Sequence, residues 1–369
     1  MPSRGVREMR KMDEARKDVM APAPRIVPKF ACVVAVLTAV CVSAPSHAAD
    51  NQGTWSVAAQ MTAARTEIGS VSLNGKIYVA GGQEMGRPDS TLLQMFDPAT
   101  ATWKDLAPMP KGASHVGLAA LDGKIYVAGG FAVRPHNAPI DQFAVYDPLA
   151  NKWQTLAPLP MALGSVSLAA VQGKIHALGG RLAGEVTVNM HAVYDPSSGK
   201  WSTAAPLPGP RDHLGVVVVN GRIHVIGGRS NERPPDTGVQ DVYDPSTDKW
   251  SRLAGLPVAR SGGAAAYYNG LILYYGGECL NFPSRIAYDL FDAYDPKTDR
   301  WSPLAKAPAT MHAQAGAVAG DTVYFLGGST SCGSDKPSLA VYAFRLTRFR
   351  LGMRVQPPQA SISASILSR

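Results

Sequence analysis

Five arginines stand at recurring positions in this sequence, and their spacing is the first sign of a binding site. Each lies either ten residues after a tryptophan or directly after a pair of glycines: Arg65, Arg211 and Arg260, then Arg181 and Arg229. Gln83 also follows a glycine pair. Arginine offers a planar fork of donors that fits a carboxylate or a phosphate. If these positions converge, they predict a binding site for a small anionic or carbohydrate ligand, or for an acidic segment of a partner protein.

Acid–base chemistry has two candidates, Glu84 and Glu278, which also lie next to glycine pairs. Either could transfer a proton if it reached a ligand atom within about 3 Å. Three histidines follow tryptophans at a similar distance: His115, His213 and His312. Equivalent positions of a repeat should spread these side chains around a ring, so we predict no metal site and no cofactor.

Two cysteines, Cys279 and Cys332, follow the glycine pairs of adjacent units by two and four residues. They therefore belong to the same type of loop. An even pair in an oxidising compartment is a disulfide candidate. We predict a bridge between them, provided that their Cα atoms lie within about 7 Å.

These residues are embedded in a repeat with a period of 48 to 51 residues. Glycine pairs mark six copies: Gly81-Gly82, Gly129-Gly130, Gly179-Gly180, Gly227-Gly228, Gly276-Gly277 and Gly327-Gly328. The six tryptophans recur at nearly the same intervals: Trp55, Trp103, Trp153, Trp201, Trp250 and Trp301. A period of this length is typical of propellers and solenoids.

Each unit contains signals for four strands. A dipeptide such as Asn74-Gly75 separates two β-prone runs, as expected of a tight hairpin. The second run ends at the glycine pair, and a third ends at an aromatic-Asp-Pro triplet such as Tyr146-Asp147-Pro148. Proline there ends the strand by removing a backbone donor. A fourth run carries the tryptophan, so each unit predicts one four-stranded antiparallel blade.

This pattern resembles the kelch repeat, in which a strand ends in a glycine pair and a later tyrosine precedes a tryptophan by about six residues. The resemblance covers residues 54 to about 345 and implies an all-β, six-bladed β-propeller over residues 50–345. The sixth unit has Tyr342 but no following tryptophan, whereas Trp55 stands before the first glycine pair. We therefore expect the N-terminal strand to complete the last blade and close the ring.

Strand alternation predicts which loops share a face. With the first strand of each blade innermost, the loop after the second strand and the linker to the next blade lie at the same end of the central channel. Residues after the glycine pairs and about ten residues after each tryptophan should crowd this mouth, where binding sites on such scaffolds lie.

The kelch resemblance implies a non-catalytic binding or protein-interaction module. The alternative is a carbohydrate-active enzyme, because the exported bacterial N-acetylneuraminate epimerase has a similar architecture; Glu84 or Glu278 would then transfer protons. The propeller domain of galactose oxidase is also similar. Copper chemistry of that kind is not favoured, since the sequence leaves no room after Arg345 for the additional domain that supplies a ligand.

The ends of the chain read differently from the repeats. Residues 1–49 combine a basic leader with an uncharged run from Phe30 to Val42, and Ser46-His47-Ala48 offers small residues for cleavage. We predict a signal peptide and a periplasmic or secreted protein. The run is too short for a membrane span, which needs about 20 residues. Residues 346–369 are expected to form a flexible basic tail.

The net charge of +8 comes from these ends, since the part between them carries 23 basic and 24 acidic residues. A near-neutral body excludes nucleic-acid binding through a broad basic face.

Overall fold

The computed structural model describes residues 53–85, 89–132, 138–231, 235–279, 286–333 and 336–347. The predicted signal peptide and nearly all of the predicted tail lie outside the described residues. The strands form six four-stranded antiparallel sheets and one two-stranded ribbon. Among the described residues, the helical content is one 3-10 turn, Ala183–Glu185.

The strands of the first three blades follow the repeat units. β1 (Thr54–Gln60) precedes them. Blade 1 contains β2 (Gly69–Leu73), β3 (Lys76–Ala80), β4 (Leu93–Asp97) and β5 (Thr102–Asp105). Blade 2 contains β6 (Gly117–Leu121), β7 (Lys124–Ala128), β8 (Phe143–Asp147) and β9 (Lys152–Thr155). Blade 3 contains β10 (Ser167–Val171), β11 (Lys174–Leu178), β12 (His191–Asp195) and β13 (Lys200–Thr203).

The remaining strands complete the ring. Blade 4 contains β14 (Gly215–Val219), β15 (Arg222–Ile226), β16 (Gln240–Asp244) and β17 (Lys249–Leu253). Blade 5 contains β18 (Ala264–Tyr268), β19 (Leu271–Tyr275), β22 (Phe291–Asp295) and β23 (Arg300–Pro303), with the ribbon β20 (Glu278–Cys279) and β21 (Ile286–Ala287) in one loop. Blade 6 contains β24 (Ala315–Ala319), β25 (Thr322–Leu326) and β26 (Ala340–Arg345).

The first strand closes the ring as the sequence predicts. β1 pairs antiparallel with β26, so the sheet order of the last blade is β1-β26-β25-β24. Trp55 lies opposite Phe344 and packs against its ring, with centroids 5.0 Å apart. It also contacts Tyr275 and Phe291 of blade 5. Aromatic burial thus joins the N-terminal strand to the last two blades.

The glycine pairs are required where the second strand of each blade meets the next linker. Gly276 and Gly277 have φ of 67° and 104°, positive values that glycine adopts more readily than any other residue. A Cβ on Gly276 would lie 2.2 Å from the carbonyl oxygen of Met311. The pair therefore permits the close approach of neighbouring blades that the repeat pattern indicates.

A second repeated device joins consecutive blades on their outer side. Asp248 accepts hydrogen bonds from the Tyr243 hydroxyl, at 2.7 Å, and from the backbone N–H of Ala205 in the preceding linker, at 2.8 Å. The Trp250 indole donates to the carbonyl of the same Ala205 at 2.8 Å. We call this arrangement the blade latch. Asn151 and Asp299 form equivalent latches in blades 2 and 5.

The innermost strands β2, β6, β10, β14, β18 and β24 contact one another in a closed circle and line a central channel. Small and apolar side chains face this channel, including Ser70, Ala119, Ala169 and Val217. In the part of the chain that the structure covers, no helix is long and apolar enough to cross a membrane.

Candidate functional site

At one end of the channel lies a ring of six residues, each two positions before the first residue of an inner strand. All six have a left-handed backbone, with φ between 53° and 64°: Glu67, His115, Ser165, His213, Gly262 and Ala313. Backbone N–H groups bond to the carbonyl of the preceding member, at 2.8 Å from His115 to Glu67 and 2.7 Å from Ala313 to Gly262. We call this structure the axial ring. It ties the blades together around the axis.

Two histidines and one glutamate meet at the axial ring. His115 Nε2 lies 3.0 Å from a carboxylate oxygen of Glu67, and the imidazoles of His115 and His213 have centroids 5.0 Å apart. The side chains of all three are buried. The prediction that equivalent histidines are spread apart is therefore wrong for this pair, because a ring of six left-handed residues is too narrow to separate them.

A buried charge network lies beside the axial ring, on the side of the loops that follow the glycine pairs. Asp212 is fully buried and forms ion pairs with two arginines. One of its carboxylate oxygens lies 2.6 Å from Arg181 Nε, and the other lies 3.3 Å from Arg229 Nε. Arg229 also reaches Glu278 at 3.0 Å and His213 Nε2 at 3.0 Å. We call Arg181, Asp212, Arg229 and Glu278 the mouth network.

The second oxygen of Glu278 has its own set of partners. His312 Nε2 lies 3.3 Å away and the Cys332 thiol 2.9 Å away, and the backbone N–H of Gly333 donates at 3.3 Å. Glu278 thus connects the loops of blades 4, 5 and 6 from a buried position.

The mouth network keeps its carboxylates ionised. Burial alone would raise the pKa of Asp212, but the neighbouring His213 and Arg229 lower it well below its usual range. Burial alone would also raise the pKa of Glu278. The nearby His312 and Arg229 outweigh this effect, so the pKa of Glu278 is lowered. Burial and the nearby Arg229 lower the pKa of His213.

Three of the five predicted arginines do not reach the mouth. Arg65, Arg211 and Arg260 are buried within their own blades, where each donates to the first carbonyl of the glycine pair. Arg211 and Arg260 also pair with Asp241 and Asp292 at 2.5 Å, and Arg65 bonds Gln94 at 2.6 Å. Their predicted position at the mouth is thus corrected, because their side chains point back into the blade, and their role in ligand binding stays a prediction.

The structure places the other predicted residues as follows. Arg181, Arg229 and Glu278 come together in the mouth network. Gln83 is buried, with its side-chain amide 3.4 Å from the Ser114 hydroxyl. Glu84 is half-buried, and its carboxylate accepts a hydrogen bond from the Ser90 hydroxyl at 3.1 Å. The Cys279–Cys332 disulfide stays a prediction, since the side chain of Cys279 lies outside the described residues.

Two residues of this centre, Glu67 and Asp212, were not singled out from the sequence. They stand twelve and eleven residues after Trp55 and Trp201, the offsets that already marked the histidines. Their offset from the preceding tryptophan is the sequence signal that marks these two acids.

The face around the mouth network carries most of the exposed apolar side chains. Of the nine large ones exposed among the described residues, six lie in its loops and linkers: Met85, Met161, Val186, Val258, Ile286 and Leu339. The opposite face consists of polar turns such as Asn74-Gly75 and Asn220-Gly221, with Leu149 as its fully exposed apolar residue. The two faces thus differ in chemistry.

Comparisons with known proteins agree with this geometry. A family model described as the KLHDC2/KLHL20/DRC7 Kelch-repeats domain matches residues 158–328, and the Kelch motif matches residues 64–110 and 112–160. Among solved structures, that of YjhT superposes with a TM-score of 0.67 over 76% of this chain and 95% of its own, at 16% sequence identity. No curated protein matches the chain.

Six antiparallel blades, their glycine pairs and the two matching repeat models define the class: this chain is a kelch-repeat β-propeller. At 16% identity, the likeness to YjhT concerns the fold alone.

Proposed function

We propose that this protein is an exported, non-catalytic binding module, and that the face around the mouth network binds a partner protein. The observation that carries this proposal is the uneven distribution of exposed apolar side chains between the two faces. Met85 is 81% exposed and stands with five other apolar residues around the mouth. Exposed apolar side chains concentrated on one face of a protein are a feature of interaction surfaces.

The mouth network supports binding by its rigidity. Arg181 and Arg229 are each paired with buried Asp212, and Arg229 also with Glu278. Their charges are therefore compensated inside the protein, which weakens the attraction for a free anion that the sequence predicts. Buried, fixed groups of this kind hold the surrounding loops in place, and a preorganised surface loses less entropy on binding.

The test is the capture of a partner from the exported fraction with purified protein as bait. Val186→Ser and Leu339→Ser remove apolar area from the proposed surface, whereas Leu149→Ser makes a comparable change on the opposite face. We expect the wild type and Leu149→Ser to retain the same specific partner and the combined mouth variant to lose it. Equal retention by all three proteins would contradict the proposal.

A second candidate is acid–base catalysis on a sugar, in line with the resemblance to N-acetylneuraminate epimerase. The observation that favours it is the buried contact of Glu278 with His312 at 3.3 Å. In that case acidic sugars at millimolar concentration should raise the melting temperature of the wild type. Glu278→Gln should abolish turnover while the sugar-induced shift persists. If acidic sugars neither raise the melting temperature of the wild type nor are turned over by it, catalysis on a sugar is refuted and the binding module is favoured.

Export is part of the proposal and rests on residues 1–49. Sequencing the N-terminus of protein recovered from the exported fraction should find cleavage after Ala48. Recovery of an intact leader from the cytosolic fraction would refute export and leave the interaction surface unaffected.

A further inference from the structure

We propose that the axial ring binds a divalent transition-metal ion, with zinc as the best match, through Glu67, His115 and His213. One ligand atom from each of the three side chains lies within 4.8 Å of the others. Two imidazoles and a carboxylate are ligands that zinc accepts in proteins. The site lies on the propeller axis and would connect blades 1, 2 and 4.

The composition of the axial ring favours a site at this place. Three of its six equivalent positions carry metal-binding side chains, and the other three carry small ones: Ser165, Gly262 and Ala313. The small residues leave space beside the ligands. A cavity of about 120 Å³ is lined by Glu67, His115 and His213 together with Ser165 and Gly262. This cavity has room for water to complete the coordination of an ion.

Neighbouring residues orient both imidazoles. His115 Nδ1 lies 2.9 Å from the hydroxyl of Ser114, and His213 Nδ1 lies 3.1 Å from a carboxylate oxygen of Asp212. Metal-binding histidines usually form such a bond through the nitrogen that does not bind the metal. These contacts direct Nε2 of His115 to Glu67 Oε2, 3.0 Å away. An ion bound here would contact both of these atoms.

Arg229 is the group that opposes metal binding, because its guanidinium lies 3.0 Å from His213 Nε2. The ion would have to replace this contact as well as the direct contact between His115 and Glu67. Arg229 would remain anchored by Asp212 at 3.3 Å and Glu278 at 3.0 Å. The two carboxylates also offset the repulsion between the guanidinium and the ion.

The experiment is a zinc titration of the metal-free full chain, monitored by calorimetry and by competition with a chromophoric chelator. We expect one zinc ion per chain and a higher melting temperature in its presence. His115→Ala and His213→Ala should each weaken binding by more than about 100-fold. His176→Ala serves as a matched control, since it also removes a buried histidine but lies on β11 away from the ring.

A less disruptive variant tests the site in case the histidine variants do not fold. Ser114→Ala removes one hydroxyl beside His115 and should weaken zinc binding by roughly 10-fold through loss of imidazole orientation. Full affinity in a folded Ser114→Ala protein together with full affinity in either histidine variant would overturn the proposal, as would the absence of stoichiometric binding to the wild type.

X-ray absorption of the zinc-loaded protein distinguishes this site from the neighbouring contacts of Glu278, His312 and Cys332. We expect two imidazoles and oxygen ligands, with no sulfur in the coordination shell. A zinc–sulfur distance of about 2.3 Å would place the ion at Cys332 and refute the assignment to the axial ring.

Discussion

At the scale of single residues, a difference of one or two positions decides the role of a side chain in this protein. Residues ten positions after a tryptophan, such as Arg211, point into the blade and bond its glycine carbonyl. Residues eleven and twelve positions after it, Asp212 and His213, join the mouth network and the axial ring. The buried arginines therefore belong to the stability of the blades, and the residues that follow them belong to the site.

Replacement of Arg260 by Met tests this division. It leaves Asp292 as a buried charge without its partner and the Gly276 carbonyl without its donor. We expect the free energy of unfolding in urea to fall by about 3–5 kcal/mol. The double variant Arg260→Met, Asp292→Leu should regain a large part of this loss, because the uncompensated charge is removed. A loss below about 1 kcal/mol in the single variant would argue against the structural role.

Buried histidines on the blades make stability depend on pH. Burial, His191 and Lys174 lower the pKa of His176 to about 4, and burial with Arg222 lowers that of His224 to about 4. In the unfolded chain both titrate near 6.5. The unfolded state therefore binds more protons between these values, so stability is full above pH 6.5 and is lost as the pH falls towards 4.

Between pH 7.5 and pH 5 we expect each of these two histidines to contribute up to about 2 kcal/mol to this loss. Urea unfolding at pH 7.5 and pH 5 measures it. The double variant His176→Gln, His224→Gln keeps hydrogen-bonding capacity without a titrating group and should lose less stability between the two pH values. An equal loss in wild type and variant would assign the acid sensitivity to other groups.

At the scale of elements, the blade latch explains why a tyrosine, an acceptor and a tryptophan recur at fixed spacing. In blade 4, Asp248 holds both the Tyr243 hydroxyl and the N–H of Ala205 in the preceding linker. Blade 1 has Phe96 and Ala101 at the corresponding positions, which cannot form these bonds. The latch is therefore a stabilising contact of blades 2, 4 and 5 that not every blade needs, since blade 3 also has Gly199 in place of the acceptor.

Asp248→Ala should lower the free energy of unfolding by about 2 kcal/mol, since two hydrogen bonds are lost. Asp248→Asn is the natural control, because Asn151 forms the same latch in blade 2 through its amide oxygen. In thermal unfolding, the melting temperature of Asp248→Asn should therefore be close to that of the wild type, and that of Asp248→Ala should be lower than both. Similar values for Asn and Ala would show that the charge of Asp248, and not the acceptor, matters.

The blades could be predicted from the sequence because their signals are local. The Asn74-Gly75 hairpin, the glycine pairs and the Asp-Pro turns each determine the backbone of a few residues, and six copies fix the register. The centre of the mouth was predicted only in part. Arg181, Arg229 and Glu278 follow the glycine pairs and meet as expected, whereas the directions of Arg65, Arg211 and Arg260 depend on partners in other strands. The spacing of the repeats does not determine the directions of these three side chains.

At the scale of the whole molecule, the ring depends on a strand from the opposite end of the chain. Removing residues 53–60 deletes β1 and exposes the edge of β26 together with Phe344, which is buried in the intact protein. An open strand edge with apolar side chains promotes association. We expect a lower melting temperature and higher-order species in size-exclusion chromatography. Val57→Thr, a change at an exposed position of β1, should leave both measurements unchanged.

The pairing of Thr54 with Arg345 also has a consequence for the order of events in biosynthesis. The ribosome makes β1 first and its partner last, so this strand has no place to dock until every blade has been synthesised. A nascent chain therefore carries an unpaired aromatic segment throughout translation, and a chaperone that shields Trp55 would have its greatest effect on yield. A circular permutant that joins residues 53 and 347 and opens the chain at Asn220-Gly221 would bring the two partners together within one continuous hairpin and should be less dependent on such protection.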